Sequence, residues 1–471
     1  MTLDREHLVA GLSSLVSAAH VLVDADAMAP YLTDWRKRFT GQALCVVRPQ
    51  TTHEVSAIMR FAAEHHLAIV PQGGNTGLVG GSVPVGLGHE IVISLNRMTR
   101  IRSMMIESDS VIVEAGATLY AVQEAAQAHD RLFPLSLASE GTATIGGAIA
   151  TNAGGTAALA YGTMRDLVRG VEVVLHDGRV LDLLTSLRKD NTGYDLKALF
   201  IGSEGTLGIV TAASLKLFPQ PRSRATIFCG VRSPKAALTL LERMKAQAGP
   251  SLTTFELMPR LAIDLVVKHF TTMRDPLPSK HDWYVMTELS SLDEDGASSL
   301  ALRLMEQALE TGHVDDAVIA QSLAQRDEFW ALREGLPEAQ TKEGASIKHD
   351  ISVPIVDIPL FIERVTEELS TLVPGIRPFV FGHMGDGNLH FNLQAPEAMS
   401  AQDFMARASD IHALVYRHVL AMKGSISAEH GIGQVKRAEL AASKDPLALD
   451  VMRQIKAVID PEGRMNPGKV L

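Results

Sequence analysis

Between Pro71 and Ser82 five of twelve residues are glycine (Gly73, Gly74, Gly77, Gly80 and Gly81), and the stretch follows an apolar run at Ala68 to Val70. Glycine tolerates positive φ and close approach of its backbone, so successive N–H groups in such a loop can converge on an anion such as phosphate. One glycine-rich loop is usually only a turn. Two more small-residue runs follow, Gly141-Thr142-Ala143-Thr144-Ile145-Gly146-Gly147-Ala148-Ile149-Ala150-Thr151-Asn152-Ala153-Gly154-Gly155 and Gly202-Ser203-Glu204-Gly205-Thr206-Leu207-Gly208-Ile209. Packing alone is a poor explanation for all three, whereas bare backbone laid along an extended ligand accounts for them. A nicotinamide site is disfavoured, because no G-x-G-x-x-G follows a strand with an acidic residue at the required distance.

At 471 residues the chain exceeds what one hydrophobic core organises, which predicts at least two domains. Short apolar segments at Ala43 to Val47, Ala68 to Val70, Ile91 to Leu95 and Val111 to Val113 read as strands. They alternate with helices at Glu54 to His65 and Tyr120 to Ala128, the pattern of an α/β domain. A second α/β stretch, Val171 to Leu217, ends at Pro219-Gln220-Pro221, which continues neither helix nor central strand. The expected division is therefore 1–221, then 222–452 with new strands and amphipathic helices such as Ser233 to Ala248 and Ser298 to Thr311. A last segment, 453–471, is a helix followed by a Pro/Gly-rich tail.

The net charge of -10 and the lack of any Lys/Arg-rich run argue against nucleic acid as a partner. Two distant cysteines, Cys45 and Cys229, exclude a disulfide framework and fit a reducing compartment. Asp4, Arg5, Glu6 and His7 stand before the apolar residues of the N-terminal segment, as in a surface helix and unlike a signal peptide. The longest apolar candidate, Thr144 to Gly162, is broken by Asn152 and many glycines, so no membrane span is expected. These features predict a cytoplasmic protein.

A second cluster lies in the C-terminal half. Phe381-Gly382-His383-Met384-Gly385-Asp386-Gly387-Asn388-Leu389-His390-Phe391-Asn392 carries two histidines around a glycine-rich turn, and Ser427-Ala428-Glu429-His430-Gly431-Ile432-Gly433 follows. Two histidines and a glutamate suit a catalytic metal site with an open position. On spacing alone, metal binding and satisfied core histidines remain equally open, since the pattern is looser than a helical H-E-x-x-H. Asp386 reads as a turn residue or a partner behind a ligand.

With these motifs in this order, the chain resembles the FAD-binding oxidoreductases of the vanillyl-alcohol oxidase and p-cresol methylhydroxylase (PCMH) type, in the branch holding D-lactate and D-2-hydroxyglutarate dehydrogenases. The resemblance runs from about Gly41 to the C-terminus. It implies an α+β fold: a PCMH-type two-subdomain FAD-binding domain, an α+β cap domain with an antiparallel sheet for substrate and metal, and a C-terminal segment returning to the flavin. Gly73, Gly74, Asn75, Thr76 and Gly77 would hold the pyrophosphate. Ser136, Gly141, Thr144, Gly146, Asn152, Gly155, Gly162, Glu204, Gly208 and Ile209 would line the FAD, with Asn466 of Asn466-Pro467-Gly468-Lys469 near the flavin ring. Covalently flavinylated relatives carry a histidine in the first loop; here Gln72-Gly73-Gly74-Asn75 has none, which implies non-covalent FAD.

The same resemblance assigns His383, His390 and Glu429 to a divalent metal, zinc or another such as Mn2+ or Co2+, and His430 to the catalytic base. A 2-hydroxy acid can chelate the metal, and its carboxylates need cations. Arg333 and Lys348 match the carboxylate-gripping positions, and Asn392 contacts substrate or orients a ligand, with a turn-stabilising amide as its plainer role. For Arg333 taken alone, an ordinary ion pair with a nearby Glu is the plainer reading. The implied activity is FAD-dependent, metal-assisted dehydrogenation of D-2-hydroxyglutarate, with D-lactate as the alternative and an O2-using oxidase less favoured. Pro337 departs from those 2-hydroxyglutarate enzymes that place a hydroxyl four residues after the arginine. An electron-transfer flavoprotein or quinone would take the electrons, and a homodimer fits the branch. A flavin-free zinc hydrolase would need the same histidines but leaves the glycine loops unexplained.

Overall fold

In a computed structural model, residues 5–471 are described. Asp4, part of the expected N-terminal helix, lies outside them. Arg5–Val16 is helical, and Leu8, Leu12 and Val16, spaced by four, are its buried stripe.

The chain divides into two compact units. Unit 1 comprises 1–155, 162–219 and 429–471; unit 2 comprises 156–161 and 220–428. Compared with the sequence-based division, the first boundary moves by two residues. The return to unit 1 begins at Glu429 rather than 453, and the helix Pro446–Ile459 starts well before the expected tail. Six residues, 156–161, leave the first domain to join the second, an excursion with no signal in composition.

In unit 1 the strands β1 (Val21–Leu22), β2 (Cys45–Val47), β3 (Ala68–Gln72) and β4 (Glu90–Ser94) form a sheet in the order β1-β2-β4-β3, and β2, β4 and β3 run parallel. Their burial is near-continuous, as parallel strands covered on both faces require. The alternating strand and helix pattern thus yields a parallel sheet only here. The next sheet, β5 (Ile101–Met105), β6 (Ser110–Glu114), β8 (Val168–Val174), β9 (Val180–Asp182) and β10 (Ile209–Lys216), is antiparallel throughout, in the order β5-β6-β10-β8-β9. Short β7 (Arg131–Leu132) and β11 (Phe218–Pro219) pair separately. The C-terminal segment closes the edge of β3: Ile69 N–H donates to Arg464 O, and Asn466 N–H to Ile69 O, at 2.8 and 2.7 Å.

Unit 2 is built on β12 (Ser223–Val231), β13 (Leu252–Pro259), β14 (Trp283–Ser291), β15 (Asp316–Ile319), β16 (Ser346–Ile347), β17 (Asp350–Ser352), β18 (Arg377–His383) and β19 (Asn388–Gln394). They form one antiparallel sheet, β15-β12-β14-β13-β18-β19-β16, with β17 also on β19. Strand side chains alternate between faces. Phe255, Leu257, Val380, Leu389 and Phe391 therefore point into the larger core beneath the helices Pro234–Ala248, Gly296–Glu310, Ile358–Leu372 and Ala408–Ala421. Met258, Phe379 and Phe381 face a smaller core with helix Arg260–His269 and Phe329 and Leu332 of helix Leu323–Glu334. By the same alternation, Glu256, His383, His390 and Asn392 share that second face. Among the described residues, no helix is long and apolar enough to cross a membrane.

Candidate functional sites

In unit 1 the first two glycine loops touch. A β-carbon on Gly74 would stand 1.9 Å from Thr142 O, and one on Gly73 2.3 Å from Thr144 Oγ1, so only glycine lets the loops come this close. On the other side, β-carbons on Gly77 and Gly141 would meet nothing within 4 Å. The paired loops thus present open backbone to a ligand, the cradle that a dinucleotide requires.

Most polar side chains expected at the cofactor are engaged with the protein itself. Asn75, at φ 52, donates to Pro30 O and Thr33 O and accepts from Ser82 Oγ. Thr144 caps the helix Ile145–Thr151, and Asn152 ends it in the left-handed conformation while accepting from Thr163 Oγ1 and Arg165 N–H. Ser136 Oγ donates to Glu140. Close packing explains Gly146 beside Ala115, Gly155 beside Ser136 O, Gly162 beside Asp166, and Gly208 beside Val173, with Ile209 opening β10. Thr76 is half-buried in the first loop. What these residues leave for a cofactor is backbone N–H and the space over Gly77 and Gly141.

Glu204 ties the third glycine run to the segment carrying His430. Its Oε1 accepts from Ile432 N–H at 2.7 Å and its Oε2 from Gly433 N–H at 2.8 Å. Gly431, at φ 80, leaves room for that carboxylate, since a β-carbon there would lie 2.7 Å from Glu204 Oε1. Burial raises the Glu204 pKa, opposed by the two N–H donors and by Lys436. Asn466 Nδ2 donates to Glu204 O at 2.7 Å and to Gly81 O at 2.9 Å. Glu429 Oε1 comes within 3.6 Å of where a β-carbon on Gly154 would stand, beside the second loop. The sequence-predicted FAD loops, Glu204, Asn466, Glu429 and His430 therefore all belong to one compact unit.

In unit 2 a hairpin brings the two candidate ligand histidines together. His383 ends β18 and His390 lies on β19, with ring centroids 5.5 Å apart. Asp386 is the turn residue, accepting from Asn388 N–H, and Gly387 takes φ 93. Each histidine faces a carboxylate on a neighbouring strand: Glu256 of β13 pairs with His383, and Asp350 of β17 with His390. His383 Nδ1 lies 2.6 Å from Glu256 Oε1. Arg333 directs Nε and Nη2 to Glu256 Oε2, both at 2.7 Å, while its guanidinium sits 4.8 Å from the Phe381 ring. Burial pushes the Glu256 pKa up, but His383 and Arg333 outweigh it and hold the carboxyl at about 2. An ionised carboxylate only accepts, so the proton of this bond sits on His383 Nδ1, and Nε2 is the nitrogen that would face a metal if one is held here. That donor set suits a divalent transition metal.

Arg333 thus has its Glu partner, but the pair is buried, with side chains 8% and 1% exposed, rather than at the surface. Asn392 is also committed: its Oδ1 accepts from His349 N–H and its Nδ2 donates to Gln340 Oε1. This bond fixes the strand edge where half-buried Lys348 lies between β16 and β17. His349 Nδ1–H donates to Phe391 O, which leaves its Nε2, 2.8 Å from His412 Nδ1, to accept from that ring when both are neutral. The sequence reading missed Glu256. The available signal was a lone acid inside Thr253-Thr254-Phe255-Glu256-Leu257-Met258-Pro259, where a fully buried charge needs a partner.

Residues 220–470 match the family described as FAD linked oxidases, C-terminal domain, and residues 43–184 match FAD binding domain. The chain is 38% identical over 463 residues to an Arabidopsis thaliana protein named "D-2-hydroxyglutarate dehydrogenase, mitochondrial", covering 98% of this chain and 81% of that one. The chain belongs to the FAD-linked oxidase family, in the branch holding these dehydrogenases. A Xanthomonas citri relative named "D-2-hydroxyglutarate dehydrogenase" is 36% identical over 462 residues, covering 98% of this chain and 96% of the relative. The structure of p-cresol methylhydroxylase with substrate bound has a TM-score of 0.75 at 16% identity, covering 100% of this chain and 97% of that one. This FAD-linked oxidase therefore has the PCMH-type α+β fold, binds FAD and is an FAD-dependent oxidoreductase.

Proposed function

We propose that this FAD-linked oxidase dehydrogenates D-2-hydroxyglutarate to 2-oxoglutarate, with FAD held non-covalently and a divalent metal, zinc first among them, held by His383, His390 and Glu429. The observation that carries the metal reading is the bond from His383 Nδ1 to buried Glu256, the arrangement that fixes an imidazole for metal ligation. The substrate reading rests on the branch. When bound, FAD supplies a two-electron acceptor and the metal a Lewis acid that acidifies the substrate hydroxyl. His430 takes the hydroxyl proton as general base. Glu204 steadies the turn after His430 through the Ile432 and Gly433 amides. Lys348 and the outer edge of Arg333 receive carboxylate, and Asn392, accepting from His349 N–H, fixes the link between β16 and β17 that carries Lys348.

The cytoplasmic placement remains our reading from two buried thiols, Cys45 and Cys229. For the onward electron acceptor we retain an electron-transfer flavoprotein or quinone, and for the assembly a homodimer. The deciding experiment is anaerobic bleaching of the flavin by D- and L-2-hydroxyglutarate and D- and L-lactate. Fast bleaching by D-2-hydroxyglutarate alone supports the proposal; preference for D-lactate, or for an L-enantiomer, overturns it.

A further inference from the structure

We infer that Glu256 is a positioning residue that orients two functional groups at once, the metal ligand His383 through Oε1 and the carboxylate clamp Arg333 through Oε2. The inference rests on the metal and substrate reading above. Glu256 lies in the middle of β13, directly across from His383 on β18, and its side chain is buried. Nothing in a strand interior requires an acid there, and a buried carboxylate is retained only where partners satisfy both oxygens. Here His383 Nδ1 takes Oε1 at 2.6 Å, while Arg333 Nε and Nη2 take Oε2 at 2.7 Å.

Two consequences follow from this geometry. With Nδ1–H committed, His383 is locked in the tautomer and ring orientation that send Nε2 toward a metal. With Nε–H and one N–H of Nη2 committed, the guanidinium plane is fixed against Phe381, and the outer fork, Nη1 with the second N–H of Nη2, is the edge left to meet a substrate carboxylate. A metal ligand and a substrate clamp from distant parts of the chain thus share one anchor, as preorganised sites require. Glu256 also offsets the charge of Arg333, so the arginine contributes directed N–H donors more than net positive charge.

The test uses the FAD-loaded full-length enzyme and Glu256→Gln, which keeps the volume but not the charge. Zn2+ affinity is measured by competition with a chromophoric chelator, and the FAD content and melting temperature serve as controls for folding. The expected result is an affinity loss of about 10- to 100-fold. At Zn2+ high enough to refill the site, kcat should recover toward wild type while KM for D-2-hydroxyglutarate stays raised about 10-fold or more, since Arg333 remains unanchored. Unchanged Zn2+ affinity, or recovery of kcat and KM together, overturns the inference. Should the variant fail to hold FAD, the metal-free wild type still decides. In 15N-histidine spectra, the resonance lost in His383→Gln must report an Nδ1–H tautomer, and an Nε2–H tautomer overturns the role. A wild type that binds no Zn2+ defeats the metal proposal, while the tautomer still reports separately on Glu256.

Discussion

Glu256 and His383 face one another across β13 and β18, joined by a 2.6 Å bond from imidazole Nδ1 to carboxylate Oε1. The first prediction concerns the metal proposed above for His383. His383→Ala and His390→Ala should each lose the metal and most activity while retaining FAD, because the glycine loops belong to the other unit. Metal analysis and flavin absorbance of the purified variants check this; full turnover of both in chelator would remove the metal from the mechanism.

Lys348 should set the preference between one and two substrate carboxylates. Because Glu256 already offsets Arg333, Lys348→Ala should cut kcat/KM for D-2-hydroxyglutarate by about 10- to 1000-fold, with far less effect on D-lactate. Equal losses would place Lys348 at the shared head group and make D-lactate the better substrate candidate.

The paired glycine loops separate folding from cofactor affinity. Gly74→Ala drives a methyl toward Thr142 O and should cost stability by more than about 1–3 kcal/mol. Gly77→Ala meets no protein atom, so it should leave the apoprotein melting temperature unchanged while weakening FAD binding about tenfold, or roughly 1.4 kcal/mol. Flavin titration beside calorimetry distinguishes the two. Undiminished FAD affinity in Gly77→Ala would mean the cofactor does not cross that loop.

FAD should leave the protein on acid precipitation. Gln72, which ends β3 and whose amide donates to Tyr31 O and Ser82 O, leads into Gly73-Gly74-Asn75, and this stretch carries no histidine to which the flavin could be attached. Yellow colour left in the pellet would contradict this.

Acid should destabilise unit 2 through Glu343. Burial favours its neutral form, but hydrogen bonds from Lys268, Arg377 and His269 hold its pKa at about 2, below the ordinary 4.5. The folded state binds its proton less readily than the unfolded chain, so the stabilisation is complete above about pH 4.5 and fades as pH falls toward 2. At neutral pH Glu343→Gln should cost about 1–3 kcal/mol, and the gap to wild type should narrow across that window. A pH-independent gap in melting temperature would assign the effect to packing alone.

Where chemistry needs bare backbone or an amphipathic period, the sequence was informative. The glycine loops and the helices near Glu54 and Ser233 follow from residue type and spacing, and the hairpin joining His383 to His390 follows from Gly385-Asp386-Gly387. Partnerships across the sheet were not visible. Glu256 precedes His383 by 127 residues, and only the β13–β18 register makes them neighbours. Glu204 was placed at the cofactor by the family resemblance, and nothing local to it announces that its carboxylate binds amides 228 and 229 residues later in the chain. Local pattern marks where backbone is exposed, whereas the charges that hold a site depend on long-range pairing.

The interleaving of the two units also constrains the order in which they can be completed during synthesis. Unit 2 needs 156–161, made early, where Leu159 packs against Gly385. The edge of β3, made earlier still, waits for Arg464 and Asn466. A ribosome-bound chain that has not yet reached Asn466 therefore has an unfinished first unit even when the second, which ends at Ala428, is whole, and the sheet beneath the first glycine loop gains its last edge after every strand of the second unit has been made.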